Sequence, residues 1–433
     1  MRVRGEKAQP KPVATLVITG IRQCLTMAGN GSGPAAGSAQ EDVGEINDAA
    51  IAANNGTLVY VGPASGLPKA VRVAPNATRL DAERGVVMPG FIDSHTHLVF
   101  AGWRANEFTL RVAGVGYQDI LAAGGGILQT VGATRAASEE ELVDLASERL
   151  RGIIATGTTT VEAKSGYGLS LADEAKILRV VHRLDGAGPW QVIPTFLGAH
   201  AVPPEFKENR DGYVDLVVEM IDTLADRAEF VDAFCEKGAF TVDECRRVFT
   251  AGRRAGLGIK LHADQLSDGG GAALAAEMGA TSADHLDCIS GTGIEAMARE
   301  GVIAVMLPGV PLYLMSRRQA PAARLQAAGV PLALATDFNP GTCPVDRMGL
   351  IVALGCMLMR MSPAAALVAA TRNAAHAVGR GDVIGTLEPG KQADLQWYRA
   401  DDFGELPYRF GQIPPAAVIK AGAIVARDGE YLG

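Results

Sequence analysis

At about 100 to 200 residues per domain, a chain of 433 residues holds roughly two to four domains, or one large barrel with an appendage. Apolar types make up 48% of it and charged types 20%, which excludes a wholly disordered or low-complexity chain. Lys and Arg total 40 against 48 Asp and Glu, a net charge of −8, so no basic field exists to attract nucleic acid or anionic lipid.

The chain opens on MRVRGEKAQPKP, and the apolar-leaning stretch that follows, Val13 to Ile18, is too short for a signal-peptide core. Up to residue 85, short β-type runs (Leu16 to Ile18, Leu58 to Val61, Ala70 to Val73) alternate with Gly, Pro and Asn punctuation. Ala28 to Asp48, rich in Gly, Ala, Ser and acids without an apolar period, reads as an extended surface loop. The tail from Gly385 to Gly433 returns to the same style, with strand-like runs at Asp394 to Trp397, Ala417 to Ile419 and Ile424 to Ala426. We therefore expect residues 1–85 and 385–433 to build one composite, β-sandwich-like domain.

Residues 86–384 alternate buried-type runs with amphipathic segments. Strands are expected at 86–93, 157–163, 190–199, 229–234, 257–262, 281–285, 302–307 and 331–336. Helices between them open on capping patterns, Ser138 with Glu141 and Thr241 with Glu244. Eight strand and helix units over roughly 250 residues predict an α/β fold of the (β/α)8 TIM-barrel type. A doubly wound sheet would place a glycine fingerprint after its first strand, and no GxGxxG follows residue 93. The longest apolar stretch, Leu350 to Met359, is about half a membrane span. The six cysteines (Cys24, Cys235, Cys245, Cys288, Cys343, Cys356) form no CxxC pair, which fits a reducing, cytoplasmic compartment.

Of seven histidines, five fall at expected strand ends: His95 and His97 after the first strand, His200 after the third, His262 closing the fifth and His285 the sixth. In a parallel barrel these ends converge on the catalytic face. In PGFIDSHTH, Pro89 to His97, two imidazoles at i and i+2 share one face, so one ion can accept both. His262, in IKLHADQ, supplies a third nitrogen. Asp337, in PLALATDFNPGT, supplies an oxygen from the last strand, which adjoins the first in a closed barrel. Three imidazoles and a carboxylate suit one zinc or ferrous ion better than calcium or magnesium. Such an ion lowers the pKa of bound water to about 7, which implies hydrolysis.

PGFIDSHTH, HADQ, SADHL and ATDFNPGT together are similar to the amidohydrolase superfamily. FAGWRANEF (100–108), GGGILQTVGATR (124–135), EAKSGYGL (162–169) and TFLGAHAVPPE (195–205) resemble the branch that opens a cyclic amide in histidine degradation, and the matches run in order from about residue 80 to 390. This resemblance implies hydrolysis of 4-imidazolone-5-propanoate to N-formimidoyl-L-glutamate at a single metal held by His95, His97, His262 and Asp337. It implies substrate contacts at Arg104, Tyr167, His200, Gln265, Asn339, Gly341 and Thr342, and a homodimer. Arg104 offers a fork suited to the propanoate. Asp337 would take a proton from water, and His285 would polarise or protonate the tetrahedral species. Many members carry Glu where Gln265 stands. An amide takes no proton at neutral pH, so Gln265 can only hydrogen-bond the ring.

The same ligands would serve an aromatic deaminase, but Arg104 and EAKSGYGL argue for an acidic side chain on the substrate. A non-catalytic barrel scaffold is the other alternative, and the presence of all four ligands argues against it. Gly124 to Gly126 lacks the ending of a phosphate loop and reads as a flexible active-site lid. His182 and His376 lie on helical patterns as packing or surface histidines. Cys343 needs no nucleophilic role beside a metal site. Lys164 could carry a carbamate bridging two metals, but the Asp337 arrangement suits one.

Overall fold

β1 (Val13–Leu25) is long enough to serve several neighbours. β2 (Glu45–Asn54) runs antiparallel along one edge and continues into β3 (Thr57–Pro63). On the other edge, β4 (Arg72–Asp81) pairs in parallel with the first half of β1, and β5 (Val86–Pro89) with the second. The handover falls at Gly20, where the register to β2 also shifts. Its φ is +67°, and a Cβ there would lie 2.1 Å from the Asp81 carboxylate, so only glycine serves. The computed structural model describes residues 11–29, 31–115, 119 and 125–433 of the chain.

The expected first strand over 86–93 is in fact two. Val86–Pro89 belongs to the terminal sheet, and the barrel begins with β6 (Phe91–Asp93). Gly90 makes the crossing: its N–H donates to the Asp394 carbonyl, and a Cβ would meet Thr159 at 2.5 Å. From there the barrel strands follow in sequence: β7 (Thr158–Lys164), β8 (Gln191–Ala199), β9 (Phe230–Cys235), β10 (Gly258–Ala263), β11 (Ser282–His285), β12 (Ile303–Met306) and β13 (Leu332–Leu334). All pair in parallel with their neighbours. Closure comes just beyond β6 and β13, where the Asp337 N–H donates to the His95 carbonyl at 3.0 Å and the His97 N–H to the Phe338 carbonyl at 2.9 Å. The seam that shuts the barrel is thus made of the expected metal-binding segments.

The chain returns to the terminal sheet as β14 (Leu395–Tyr398), antiparallel to β5, then β15 (Ala417–Lys420), β16 (Ala423–Arg427) and β17 (Glu430–Tyr431). Both chain ends therefore share one mixed sheet, around a core that includes Leu16, Ile51, Leu80, Val87, Leu395, Trp397 and Ile419. Residues 28–48 are not the extended surface loop the composition suggests. Ala35 and Gln40 are buried, β2 begins at Glu45, and Arg372 donates to the carbonyls of Met27, Gly31 and Gly33. A guanidinium satisfying several carbonyls lets irregular backbone pack against the barrel.

The outer helices cover the strands by their apolar faces. Glu139–Ala155, capped by Ser138, buries Leu142, Ala146, Leu150, Ile153 and Ile154, each such Leu or Ile contributing about 1.5–3 kcal/mol. Val242–Arg254 has the full capping box of Thr241 and Glu244. The apolar run from Leu350 lies in helix Met348–Met359, and no helix among the described residues is long and apolar enough to cross a membrane. His182 is exposed on its helix, within 3.0 Å of the Arg227 carbonyl, and His376 packs against Gly381, so neither joins the site.

Candidate metal centre and active site

His95 and His97 follow β6, His262 lies in β10, His285 ends β11 and Asp337 follows β13, and all five side chains are buried at the same barrel end. Asp337 Oδ1 lies 3.4 Å from His95 Nε2 and 3.3 Å from His97 Nε2, and His97 Nε2 lies 3.5 Å from His262 Nε2. Donors held about 2.0–2.2 Å from a tetrahedral ion are spaced about 3.4 Å apart. The donor atoms of His95, His97 and His262 lie within 4.8 Å of one another, as do those of His95, His285 and Asp337. His95 Nε2 and Asp337 Oδ1 have no hydrogen-bond partner among the described residues. Buried atoms of this kind are costly unless something binds them, so the residues fit a metal ion.

Protonation agrees. Burial lowers the pKa of His95 and His97, and that of His285 well below its ordinary value, leaving neutral imidazoles. Burial alone would raise Asp337, but the adjacent His95 and His97 hold it well below the usual carboxylate range. Neutral imidazoles beside an ionised carboxylate are the forms that coordinate metals. Strain marks the same places: His285 and Asp337 adopt φ of +77° and +52°, a conformation side chains avoid unless the surroundings impose it.

Beneath the ligands lies a layer of charge that the sequence reading missed. Asp284 Oδ2 lies 2.6 Å from His95 Nδ1, and Asp232 Oδ2 3.0 Å from His262 Nδ1. An acceptor at Nδ1 places the proton there and leaves Nε2 free toward the centre. Lys164 Nζ joins the two carboxylates, 2.8 Å from Asp232 and 3.5 Å from Asp284, and reaches Glu162 at 2.9 Å. Lys260 Nζ lies 3.2 Å from Glu162 and donates to the Ser94 carbonyl. Burial alone would depress the Lys164 pKa, but the three carboxylates raise it above its ordinary value. A carbamate needs a free amine, and this ammonium is committed to three carboxylates. The signal was present: Glu162 with Lys164 and Lys260 with His262 are i, i+2 pairs, which point to one side of a strand.

The other expected residues ring this centre. His200 stacks on His97 with centroids 4.9 Å apart, and its Nδ1 lies 3.0 Å from the Gly166 carbonyl. A Cβ at Gly166 would sit 2.8 Å from that nitrogen, so the glycine is needed for the approach. Tyr167 is buried 5.7 Å from the His97 ring, and burial keeps its hydroxyl protonated. Its loop is pinned by the buried Glu174, which accepts from the N–H groups of Gly166, Gly168 and Leu169. Asn339 Oδ1 accepts from the N–H groups of Gly341 and Thr342, folding the segment after Asp337 on itself. Arg104 is buried against Gly341, where a Cβ would fall 1.2 Å from its Nη2. Gln265 lies three residues past His262, half-buried, and its side chain makes no hydrogen bond among the described residues. Burial pushes the Cys343 thiol above its ordinary value, against a thiolate role, and all six cysteines are free. Gly124, part of the expected lid, lies outside the described residues. A cavity of about 290 Å³ lined by Phe91, Thr156 and Tyr398 opens at the start of the strands, away from this cluster.

A parallel barrel with imidazoles and a carboxylate at its strand ends is the build of a metal-dependent hydrolase. Residues 86–424 match the model of the amidohydrolase family, to which the chain belongs, and it is a hydrolase of carbon–nitrogen bonds. It is 48% identical to the imidazolonepropionase of Geobacillus kaustophilus, covering 96% of this chain and 99% of that protein. It is 49% identical to that of Rhizorhabdus wittichii, covering 90% and 94%. A crystal structure of a zinc-bound adenosine deaminase from Xanthomonas campestris superposes with a TM-score of 0.71 at 21% identity, covering 98% and 95%, a likeness of fold alone. Within the amidohydrolases the chain therefore falls among the imidazolonepropionases.

Proposed function

We propose that the chain hydrolyses 4-imidazolone-5-propanoate to N-formimidoyl-L-glutamate in histidine degradation, using one zinc or iron ion held by His95, His97, His262 and Asp337. The observation that carries this reading is the 3.3–3.5 Å spacing of four buried donor atoms from three separate stretches of chain. An ion bound there supplies a Lewis acid and lowers the proton affinity of water. Arg104 receives the propanoate carboxylate in its planar fork. Tyr167, Asn339, Gly341 and Thr342 hold the body of the substrate, and His200, with Nδ1 committed to Gly166, presents Nε2 to it. Gln265 hydrogen-bonds the ring.

In hydrolysis the oxygen of water bonds to the ring carbonyl carbon, and the ring carbon–nitrogen bond breaks. Asp337, ionised in the resting site, accepts the proton of water. His285 donates to the tetrahedral oxygen, and the proton taken by Asp337 finishes on the departing nitrogen. The six free thiols support a cytoplasmic, reducing compartment, and the homodimer rests on the family resemblance.

The test is turnover of freshly generated imidazolone propanoate alongside metal quantification. We expect stoichiometric metal, loss of turnover on chelation and recovery on adding zinc or iron. Asp337→Asn should lower turnover about 1,000-fold or more, since several kcal/mol of barrier depend on the centre. Ammonia release from cytosine or guanine without activity on the imidazolone would overturn the reading in favour of a deaminase.

A further inference from the structure

Helix Ala105–Val112 is turned inside out. Its buried side chains are Glu107 and Arg111, while Phe108, Leu110 and Val112 face outward. With Arg104 just before the helix, residues 104, 107 and 111 fall at i, i+3 and i+7, one stripe of a helix. A surface helix ordinarily buries its apolar stripe, so this one has given up packing to carry two guanidinium groups and a carboxylate inward.

Both guanidinium groups converge on Gly341, in the loop after Asp337. Arg104 lies against its α-carbon. Arg111 Nη2 lies 3.4 Å from its carbonyl, and the Arg111 guanidinium sits 5.1 Å from the centre of the Tyr313 ring. The one carboxylate of the stripe does not satisfy them. Glu107 accepts from the Gly126 N–H at 2.7 Å and is 3.5 Å from Arg104 Nε. Arg111 Nε and Nη1 and Arg104 Nε have no hydrogen-bond partner among the described residues. The stripe holds one positive charge in excess, buried, with unused donors. Buried charge of this kind persists where an anion completes it.

We propose that Arg111 is a second substrate-binding residue, which grips the side-chain carboxylate of the substrate together with Arg104 across Gly341. This rests on the reading that Arg104 receives that carboxylate, and extends it to a residue that no motif singled out. Two guanidinium groups on one carboxylate select against neutral rings of the same shape, because without the anion the donors stay buried and unpaired.

The test uses two competitive inhibitors of the metal-loaded enzyme, imidazole-4-propanoate and 4-propylimidazole, which share a ring and differ in the carboxylate. Arg111→Met should raise the inhibition constant of the acid roughly 10- to 100-fold and leave that of the neutral ring within about twofold. Arg111→Lys, which keeps the charge but not the fork, should fall between and serves if Arg111→Met does not fold. Equal weakening of both inhibitors would show that Arg111 only holds the loop, and unchanged binding of both would show that it does not meet the carboxylate; either result overturns the proposal. Should the wild-type enzyme fail to turn over the imidazolone, the proposed function falls, while the same acid-against-neutral comparison, read as dissociation constants by calorimetric titration of the metal-loaded protein, still reads the anion site.

Discussion

Beneath the histidines, Glu162, Asp232 and Asp284 share Lys164 and Lys260, whereas at the mouth Glu107 pairs with Arg104 and Arg111 has no carboxylate partner among the described residues. The lower group is closed: its ion pairs run from 2.8 to 3.5 Å, and side-chain hydroxyls such as Ser282 take up remaining lone pairs. The upper group is open, with Arg104 Nε and Arg111 Nε and Nη1 lacking a hydrogen-bond partner among the described residues. Both are sealed from water and each holds one charge in excess, three carboxylates against two ammoniums below and two guanidiniums against one carboxylate above, so the difference is one of pairing. Charges that satisfy each other hold a geometry, and charges that do not are completed by what binds.

The lower group should be the more fragile. Lys164→Met leaves three carboxylates facing one another in a dry interior, and removing one partner of a buried ion pair costs about 3–5 kcal/mol. We expect a large fall in melting temperature and little soluble protein, read by thermal denaturation and yield. A variant that melts like the wild type would mean that water reaches this layer and that the two groups differ less than the distances imply.

The contrast also separates what the sequence reveals from what it hides. Histidines at strand ends are legible because a strand alternates and a barrel gathers its strand ends, so His95, His97, His262, His285 and Asp337 are found by position alone. Lys164, Asp232 and Asp284 are harder to find. A charge inside an apolar run reads as a flaw in the strand until a barrel interior is there to receive it, and its partners come from strands far apart in sequence. Arg111 is hidden for the opposite reason. A helix pattern is read on the assumption that apolar residues face inward, and Ala105–Val112 reverses it. The run at 86–93 reads as one strand because apolar runs do not show which sheet they enter, and Gly90 divides it between two.

The open group offers a subtler perturbation than deletion. Gly341→Ala would place a methyl 1.2 Å from Arg104 Nη2 and 2.0 Å from Cζ, so the guanidinium must move. The metal ligands are not touched. We expect KM for the imidazolone to rise roughly 10- to 100-fold, the value of a charge-assisted hydrogen bond or two, with metal content and melting temperature close to wild type. An unchanged KM would mean that the carboxylate is not read at this position.

Asp287 sharpens the comparison with a third way of burying a carboxyl, with no cation beside it among the described residues. Burial pushes its pKa up to about 8, against a weaker opposing hydrogen bond from the Ala320 backbone. An unfolded Asp titrates near 4, so folding takes up a proton between about pH 4 and pH 8. Native stability therefore falls as pH climbs through that window and levels off above it. Asp287→Asn fixes the neutral state and removes the slope. Because Asp287 is only partly buried, the gain of the variant over wild type should grow by no more than about 1–2 kcal/mol from pH 6 to pH 8, measured by melting at half-unit steps. A difference that stays flat from pH 6 to pH 8, with the variant the less stable throughout, would mean that the carboxylate is ionised in the fold and has found a positive partner, which would place Asp287 with the closed group beneath the histidines.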